Sequence, residues 1–110
     1  MITFKHTQDE NNENVTLFEA YENERLLGKC LLRCENNIAD VFAISSLPGL
    51  DNIIQGLLKS AYHYASFKGI YIGKCTAKGI DDILLKMGFQ HSNGEYSSDI
   101  PSILMGTCCK

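Results

Sequence analysis

Two side chains near the middle of the sequence, Asp40 and Cys75, have the chemistry needed for proton transfer or nucleophilic attack. Asp40 is the one acidic residue inside a strongly apolar segment, where burial would raise its proton affinity towards the range of a general base. The alternative is that Asp40 lies near the solvated start of a strand, close to Asn36-Asn37, and only accepts hydrogen bonds. The Cys75 thiol could protonate a leaving thiolate, or act as a nucleophile if a nearby base activated it. No histidine is close to Cys75 in the sequence, which favours a packing role.

The elements that would position these residues form a strand–helix–strand unit. Residues 38–46 carry apolar side chains on both faces, which is typical of a strand in a parallel pair covered by a crossover helix. Helical spacing of apolar residues then predicts a helix over about 50–68, with its stripe at Leu50, Ile53, Ile54, Leu57, Leu58, Ala61 and Ala65. Gly69 ends this helix, and a second strand is predicted over 70–75, with Tyr71 and Cys75 on one face. The strand–helix junction of such a unit directs backbone N–H groups at whatever lies beyond the strand end.

The remaining segments predict an α/β (α+β) domain whose mixed, mostly antiparallel sheet follows the order β-β-β-β-α-β-α-β-β. Three strands precede the central one, over about residues 1–7, 15–21 and 26–34, joined by polar connections. After the crossover, a short helix ends at Gly88, and a closing hairpin has its last strand over 96–104. Pro101 indicates that this last strand lies on an edge or at a bulge. We interpret residues 1–110 as a single domain, since this length suffices for one core.

Composition and charge narrow the classes of function. The net charge is −3, and the chain has no stripe of lysine and arginine. Nucleic acid is therefore not expected as a partner, because phosphate neutralisation supplies most of that affinity. No apolar run approaches membrane-spanning length and the N-terminus has no signal-peptide core, so we expect a cytoplasmic protein without membrane contact. The five cysteines form no CxxC pattern, so no metal is expected, and we interpret them as reduced thiols, including Cys108-Cys109 in a C-terminal tail.

In the order of its elements, the chain resembles the Gcn5-related N-acetyltransferase superfamily over roughly residues 15–104. The segments that carry the resemblance are Phe42–Pro48, Gly56-Leu57-Leu58, Gly69–Ile72 and Leu85–Phe89. The last of these matters because the family commonly ends the same helix in a Gly-Phe pair. The two helices that normally follow the first strand are missing, since this chain offers only the loop 8–14 there. The resemblance therefore implies the family's fold without its first two helices.

This resemblance implies a site for acetyl-CoA in a gap between the fourth and fifth strands. The implied cofactor-binding residues are Ile44, Ser45 and Ser46 for the pantetheine arm, and Gly49, Leu50, Asp51 and Asn52 for the pyrophosphate. Tyr71 and Cys75 would line the other side of the gap, with Tyr71 contacting the substrate. Asp40 then corresponds to the position where some members keep a general base. The implied activity is transfer of an acetyl group to an amine of a small molecule or a peptide, with backbone N–H groups near Ile44 stabilising the oxyanion.

The loop after the fourth strand departs from the family's phosphate-binding pattern, Gln/Arg-x-x-Gly-x-Gly/Ala. Only Gly49 is small, Asp51 would repel a pyrophosphate, and Ile54 would obstruct its approach. The usual general-acid tyrosine is replaced by Leu84. One alternative is therefore a non-catalytic binding or dimerisation module, whose apolar edge at 100–105 would pair with a second copy to form a homodimer. Another alternative is a ferredoxin-like regulatory domain.

Overall fold

The computed structural model describes residues 2–8 and 14–106, the side chains of 105 and 106 excepted. Most of the predicted 8–14 loop and the Cys108-Cys109 tail lie outside the described residues. The elements in chain order are β1 (Ile2–Gln8), β2 (Val15–Glu22), β3 (Arg25–Glu35), β4 (Ile38–Ser46), α1 (Asp51–Phe67), β5 (Ile72–Cys75), α2 (Asp81–Lys86), β6 (Gln90–Ser92), β7 (Glu95–Asp99) and α3 (Ile100–Gly106).

The seven strands form one sheet in the order β1-β2-β3-β4-β5-β7-β6. Every neighbouring pair is antiparallel except β4 and β5, which are parallel and joined by α1. This arrangement confirms the predicted fold class, and its four-strand antiparallel meander excludes the ferredoxin-like alternative. Only residues 9–14 separate β1 from β2, too few for two helices.

Asparagines make the tight turn that starts the central strand. Asn36 and Asn37, between β3 and β4, have φ angles of 55° and 64°. Both lie in the left-handed region, which asparagine tolerates better than other non-glycine residues. A two-residue connection with both angles positive matches the right-handed twist of the strands that it joins. The turn therefore fixes the register of β4 against β3.

The α1 helix packs its apolar stripe against one face of the sheet, as its sequence spacing predicts. The buried residues of α1 are Ile53, Ile54, Leu57, Leu58, Ala61, Tyr62 and Ala65. Gly56 allows the edge strand β1 to approach, because a Cβ atom there would lie 2.5 Å from Cζ of Phe4. Tyr62 lies under β5, where its hydroxyl donates a hydrogen bond to the Lys74 carbonyl oxygen at 2.6 Å. No helix within residues 2–8 and 14–106 has both the length and the apolar character needed to cross a membrane.

The C-terminal end of the sheet differs from the sequence-based expectation. The last strand was expected over 96–104, but β7 ends at Asp99 and residues 100–106 form α3. Ile100 and Ile103 are both fully buried, which follows from the three-residue spacing of a helix face. The Asp99 carboxylate accepts a hydrogen bond from Ser102 N at 3.0 Å, and Pro101 occupies the first turn, where a missing N–H has no cost. The apolar strand edge predicted for pairing with a second copy is therefore absent from the segment 100–104.

Candidate functional site

The parallel pairing of β4 with β5 ends halfway along β4. The four residues of β5 pair with Ile38–Val41, and the N–H groups of Thr76 and Ala77 then both donate to the Val41 carbonyl oxygen, at 3.0 and 3.2 Å. Beyond this point the chain leaves towards α2, while β4 continues through residues 42–46 beside β3 alone. The two strands therefore diverge just before α1, and a gap opens along one edge of β4.

The edge of β4 at this gap presents the main-chain groups of alternate residues. Leu47 N donates to the Leu27 carbonyl oxygen at 2.9 Å, so the main chain of Leu47 faces β3. Successive residues of a strand direct their N–H and C=O groups to opposite sides. Ser45 therefore also faces β3, whereas Ile44 and Ser46 face the gap. A ligand lying along this edge would meet two N–H donors and two carbonyl acceptors.

Asp40 holds the end of β5 against β4. Its neighbours Ala39 and Val41 are fully buried on the α1 side of the sheet, so the Asp40 side chain projects from the opposite face. Its carboxylate accepts hydrogen bonds from Thr76 N at 3.2 Å and from Thr76 Oγ1 at 3.1 and 3.2 Å. Asp40 thus accepts hydrogen bonds, as the alternative interpretation from the sequence predicts. Its partner Thr76 is the residue at which β5 begins to diverge from β4.

Cys75, the last residue of β5, lies on the other face of the sheet from Asp40. Its side chain is 1% exposed, and burial is the main reason that the pKa of its thiol is raised to about 11. At neutral pH the group is therefore a protonated thiol and not a nucleophilic thiolate. The structure brings Cys75 to the start of the gap but directs it away from the Asp40 carboxylate.

Tyr71 lies at the opposite end of β5 from the gap. The strand starts at Ile72, which pairs with Ile38, so Tyr71 precedes the first paired residue. Nine residues of β4 at about 3.3 Å each separate that level from Ser46, a distance of roughly 25–30 Å. The Tyr71 side chain is 57% exposed. The sequence predicts that Tyr71 faces Ile44–Ser46 across the gap. The structure instead places Tyr71 at the far end of β5, away from the gap.

The loop between β4 and α1 leads from the gap to the helix N-terminus. Gly49 has a φ of 80°, and no atom lies within 4 Å of where its Cβ would be, so the loop is open to solvent here. The Leu50 carbonyl oxygen accepts the first helical hydrogen bonds, from Ile53 N and Ile54 N. The N–H groups of Asp51 and Asn52 precede these bonds in the first turn, where helices leave donors without helical partners. Ile54 itself packs into the core and not across the loop.

A cleft of about 660 Å³ lies between the start of α1, the start of α2 and the β6–β7 hairpin. The residues that line it are Asp51, Cys75, Thr76, Ala77, Lys78, Gly79, Ile80, Asp81, Asp82, Ile83, His91, Gly94 and Tyr96. Burial, and then a hydrogen bond to Asp81, raise the pKa of the Tyr96 hydroxyl. Asp81, Asp82 and the hairpin residues His91, Gly94 and Tyr96 are not among the site residues predicted from the sequence. The available signal was their position after the carboxyl end of β5, where ligands of α/β sheets commonly bind.

A second hollow, of about 370 Å³, lies on the sheet face away from α1. It is lined mainly by apolar groups, and its residues come from β2, β3 and β4: Leu17, Lys29, Cys30, Leu31, Ala43, Ile44 and Ser45. Ile44 and Ser45 therefore border a space on this side of the sheet, while Cys75 and Thr76 border the larger cleft on the other.

The described part of this site has neither the general-acid tyrosine that the resemblance implies nor a set of metal ligands. Leu84, at the position of the tyrosine that the resemblance implies, is fully buried in α2 and has no ionisable group. Across the described part of the chain, no three His, Cys, Asp or Glu side chains come together as metal ligands.

Comparison with known proteins identifies relatives by structure alone. No family model matches the sequence. No curated protein sequence matches it either. Solved structures do match, and the sequence identities of those described below are 18% or less, so the likeness concerns the fold.

Three of these solved structures illustrate the likeness. The IAA acetyltransferase from Bacillus cereus has a TM-score of 0.71 at 11% identity, over 90% of this chain and 99% of that one. The ribosomal-protein-S18-alanine N-acetyltransferase from Escherichia coli has a TM-score of 0.68 at 11% identity, over 90% of each chain. The PaiA N-acetyltransferase from Thermoplasma acidophilum, solved in complex with coenzyme A, has a TM-score of 0.66 at 18% identity. That match covers 80% of this chain, which spans 61% of the length of the Thermoplasma protein.

Proposed function

Because this chain has the fold of the Gcn5-related N-acetyltransferases, we propose that it transfers an acetyl group from acetyl-CoA to an amine. The observation that carries the proposal is the divergence of β4 from β5, which leaves the main chain of Ile44 and Ser46 facing a gap. The donor would lie in this gap, with its thioester between the large cleft and the apolar hollow. The acceptor is a small-molecule or peptide amine, and we propose that the reaction takes place in the cytoplasm.

The reaction requires only groups that the gap offers. The neutral amine attacks the thioester carbonyl carbon, a C–N bond forms, the C–S bond breaks, and the proton lost by nitrogen goes to the leaving thiolate through solvent. Ile44 N–H is the donor that we assign to the oxyanion that forms on the carbonyl oxygen. Asp40 is our candidate for accepting a proton from the incoming ammonium group, since its carboxylate lies on the open face of the sheet at the start of the gap.

The two ends of the donor fit this chain unequally. The amides of a pantetheine arm match the alternating donors and acceptors of Ile44 and Ser46. The N–H groups of Asp51 and Asn52 could meet a pyrophosphate at the start of α1, as the family resemblance implies. However, Lys78 is the only lysine or arginine among the residues that line the adjoining cleft, beside three aspartates. The fit therefore supports thioester binding more strongly than nucleotide binding.

Calorimetry and thermal shift with acetyl-CoA and with CoA test the proposal. A ligand at 100 times its dissociation constant should add about 2.7 kcal/mol to the free energy of unfolding. Acetyl transfer should then be followed by mass spectrometry of the acceptor, over a panel that includes a peptide with an N-terminal alanine and a diamine. Mass detection avoids thiol reagents, which would also report the protein's own cysteines. Absence of any stabilisation at millimolar ligand would contradict the proposal.

A second candidate function is a non-catalytic binding or dimerisation module with the same fold. Leu84 in place of the tyrosine and the altered loop after β4 favour it. The edge available for pairing would be β1, because all seven of its residues are exposed and none of the other described strands pairs with its outer side. Ligand-induced stabilisation without acetyl transfer to any acceptor would support this module. A dimer in light scattering, lost when His6, whose main chain faces the outer side of β1, is changed to proline, would assign the pairing to β1.

A further inference from the structure

We propose that this protein recognises its donor through the pantetheine arm and the thioester, and that the nucleotide end of coenzyme A contributes little to binding. The inference depends on the proposed function and names the class of donor: pantetheine thioesters. The arm has the same chemistry whether coenzyme A or a carrier protein bears it. The inference rests on a difference in charge between the gap and the cleft beside it.

The cleft into which the nucleotide end would extend carries excess negative charge. Asp51 lies in the first turn of α1, and Asp81 and Asp82 lie in the first turn of α2. These three carboxylates and the single Lys78 ammonium line the same cleft. Coenzyme A bears a diphosphate and a 3′-phosphate, so its nucleotide end would enter a region of like charge.

Local partners do not remove this negative charge. Burial and Asp81 raise the pKa of the Tyr96 hydroxyl, so this group is a neutral phenol and supplies no positive charge. The N-terminus of α1 offers a partial positive charge of about half a unit, and Asp51 in the same turn opposes it with a full negative charge. The His91 ring that also lines the cleft stacks on Tyr96, with ring centroids 4.6 Å apart. The environment of the start of α1 is therefore poorly suited to hold phosphate.

The gap has the opposite character. The groups of Ile44 and Ser46 that face it are main-chain N–H and C=O groups, which carry no net charge. The hollow on the far side is lined largely by apolar side chains, with Lys29 as its only charged residue. A pantetheine arm has two neutral amides, a thioester and a short alkyl chain. It therefore suits this part of the site without any phosphate contact.

A series of shortened ligands tests the proposal directly. Calorimetry at 50 mM salt would compare CoA, 3′-dephospho-CoA, 4′-phosphopantetheine and pantetheine, all in reduced form, on the full chain. We expect the dissociation constants of CoA and pantetheine to agree within about tenfold. We also expect CoA affinity to stay level or rise when salt is increased to 300 mM, since salt screens repulsion. CoA binding that is more than tenfold tighter than pantetheine binding, or that weakens with salt, would overturn the inference.

A charge-neutralising variant locates the repulsion. Asp51→Asn should tighten CoA binding by about threefold and leave pantetheine binding unchanged, because only the former brings phosphates near residue 51. Glu24→Gln, in the exposed β2–β3 turn, is the matched control and should alter neither. Melting temperatures of both variants verify that the fold is intact. Unchanged or weaker CoA binding in Asp51→Asn would contradict the inference.

The same measurements separate failure of the inference from failure of the proposed function. If none of the four ligands binds, the thioester site itself is absent and the proposed function is wrong. If CoA binds and pantetheine does not, the proposed function stands and the inference is wrong. Acetyl transfer from acetyl-CoA and from an acetylated carrier protein, compared as kcat/KM, then identifies which source of the arm is preferred.

Discussion

The two halves of β4 have nearly the same sequence character and opposite surroundings. In residues 38–41, β4 lies between β3 and β5 and every side of its main chain is paired. In residues 42–46 it keeps β3 and loses β5. Both halves are rich in apolar and small side chains, so the difference is not one of composition. It arises because Asp40 and Thr76 fasten β5 at one point, after which the chain turns away.

The largest expected effect concerns the support of the paired half. Tyr62 is fully buried under β5, donates its hydroxyl proton to the Lys74 carbonyl oxygen, and lies against Gly73 and the Phe89 ring. Tyr62→Ala should lower the free energy of unfolding by about 3–5 kcal/mol, the cost of removing a large buried ring. Urea unfolding monitored by circular dichroism measures it.

The matched control for this variant is Tyr62→Phe, which removes only the hydrogen bond. It should cost about 1 kcal/mol, and slightly more if the Lys74 carbonyl oxygen finds no other donor. A Tyr62→Ala cost below about 1 kcal/mol would mean that β5 is not held from below by this ring. Main-chain pairing with β4 and β7 alone would then hold β5 in place.

Proline substitutions at two neighbouring serines test the geometry of the open half of β4, residues 42–46. Ser45 N–H faces β3 and Ser46 N–H faces the gap, so only the first belongs to the ladder of hydrogen bonds. Ser45→Pro should destabilise the fold by about 1–3 kcal/mol by removing a ladder bond, and Ser46→Pro by less than about 1 kcal/mol. Ser46→Pro should instead weaken CoA and pantetheine binding about five- to tenfold. Unfolding curves and calorimetry on the same samples distinguish these effects.

An equal loss of stability in both proline variants would show that the main chain does not alternate as inferred from Leu47. Undiminished ligand binding in a folded Ser46→Pro protein would instead remove Ser46 N–H from the site. The first result would contradict the main-chain geometry inferred for β4. The second would leave that geometry intact and contradict only the role of Ser46 N–H in ligand binding.

Much of this fold follows from local patterns in the sequence. The α1 stripe, the glycines after α1 and α2, and the asparagine turns each specify an element by short-range physics, and the order of elements suffices for the sheet. The segment 100–106 could not be assigned in this way. Its apolar residues at 100, 103 and 104 suit a strand or a helix, and the choice depends on the long-range burial of Ile100 and Ile103.

The site was less accessible to sequence reasoning than the fold. Period-two spacing predicts that Tyr71 and Cys75 share a face, but it does not reveal where β5 begins or ends. The end of β5 coincides with the contacts between Asp40 and Thr76, which link residues 36 positions apart. For the same reason, the proximity of Asp51 to Asp81 and Asp82 across one cleft is a property of tertiary packing. The sequence separation of Asp51 from Asp81 and Asp82 does not indicate that these carboxylates lie in one cleft.

Asp40 provides a third test, because it has both a structural interpretation and a catalytic one. If the carboxylate only fastens Thr76, then Asp40→Ala and Thr76→Val should each cost about 1–2 kcal/mol of stability. The double variant should cost less than their sum by about 1 kcal/mol, as for residues in contact. Thr76→Ser keeps the hydroxyl and serves as the control. Urea unfolding of the parent protein, the two single variants and the double variant gives the double-mutant cycle, and Thr76→Ser is measured beside them.

The kinetic part of this test uses the same proteins. A general base contributes about 10²–10⁴ to the rate, so a catalytic Asp40 would lower kcat by that factor on change to alanine, while Thr76→Val would lower it far less. If Asp40 acts only by positioning the strands, both variants should instead raise KM by similar factors with comparable kcat. A strong fall in kcat in Asp40→Ala but not in Thr76→Val would therefore support a catalytic role for Asp40 in addition to its structural one.

The smallest expected effect is a fall in the free energy of unfolding at alkaline pH, caused by ionisation of the Cys75 thiol at the end of β5. Burial raises the pKa of Cys75 to about 11, from 9.0 for an ordinary thiol. Between these values the folded protein binds a proton that the unfolded chain has lost, so stability is intact below pH 9 and declines as pH rises towards 11. The loss should be on the order of 1 kcal/mol between pH 8 and pH 10 for this group. Cys30, whose pKa burial raises to about 12, should add to it.

Urea unfolding at half-unit steps from pH 8 to pH 10.5 measures this decline, and Cys75→Ala should make it shallower. The slopes are the relevant quantity, since the substitution also shifts absolute stability by leaving a small cavity. Cys34 is half-buried, and Cys34→Ala is therefore the control, with a slope closer to that of the parent protein. If Cys75→Ala leaves the slope unchanged, the thiol titrates as freely in the fold as in the unfolded chain. Water would then reach the end of β5 in the native state, and the gap would extend further into the paired half than the hydrogen bonds of Thr76 and Ala77 indicate.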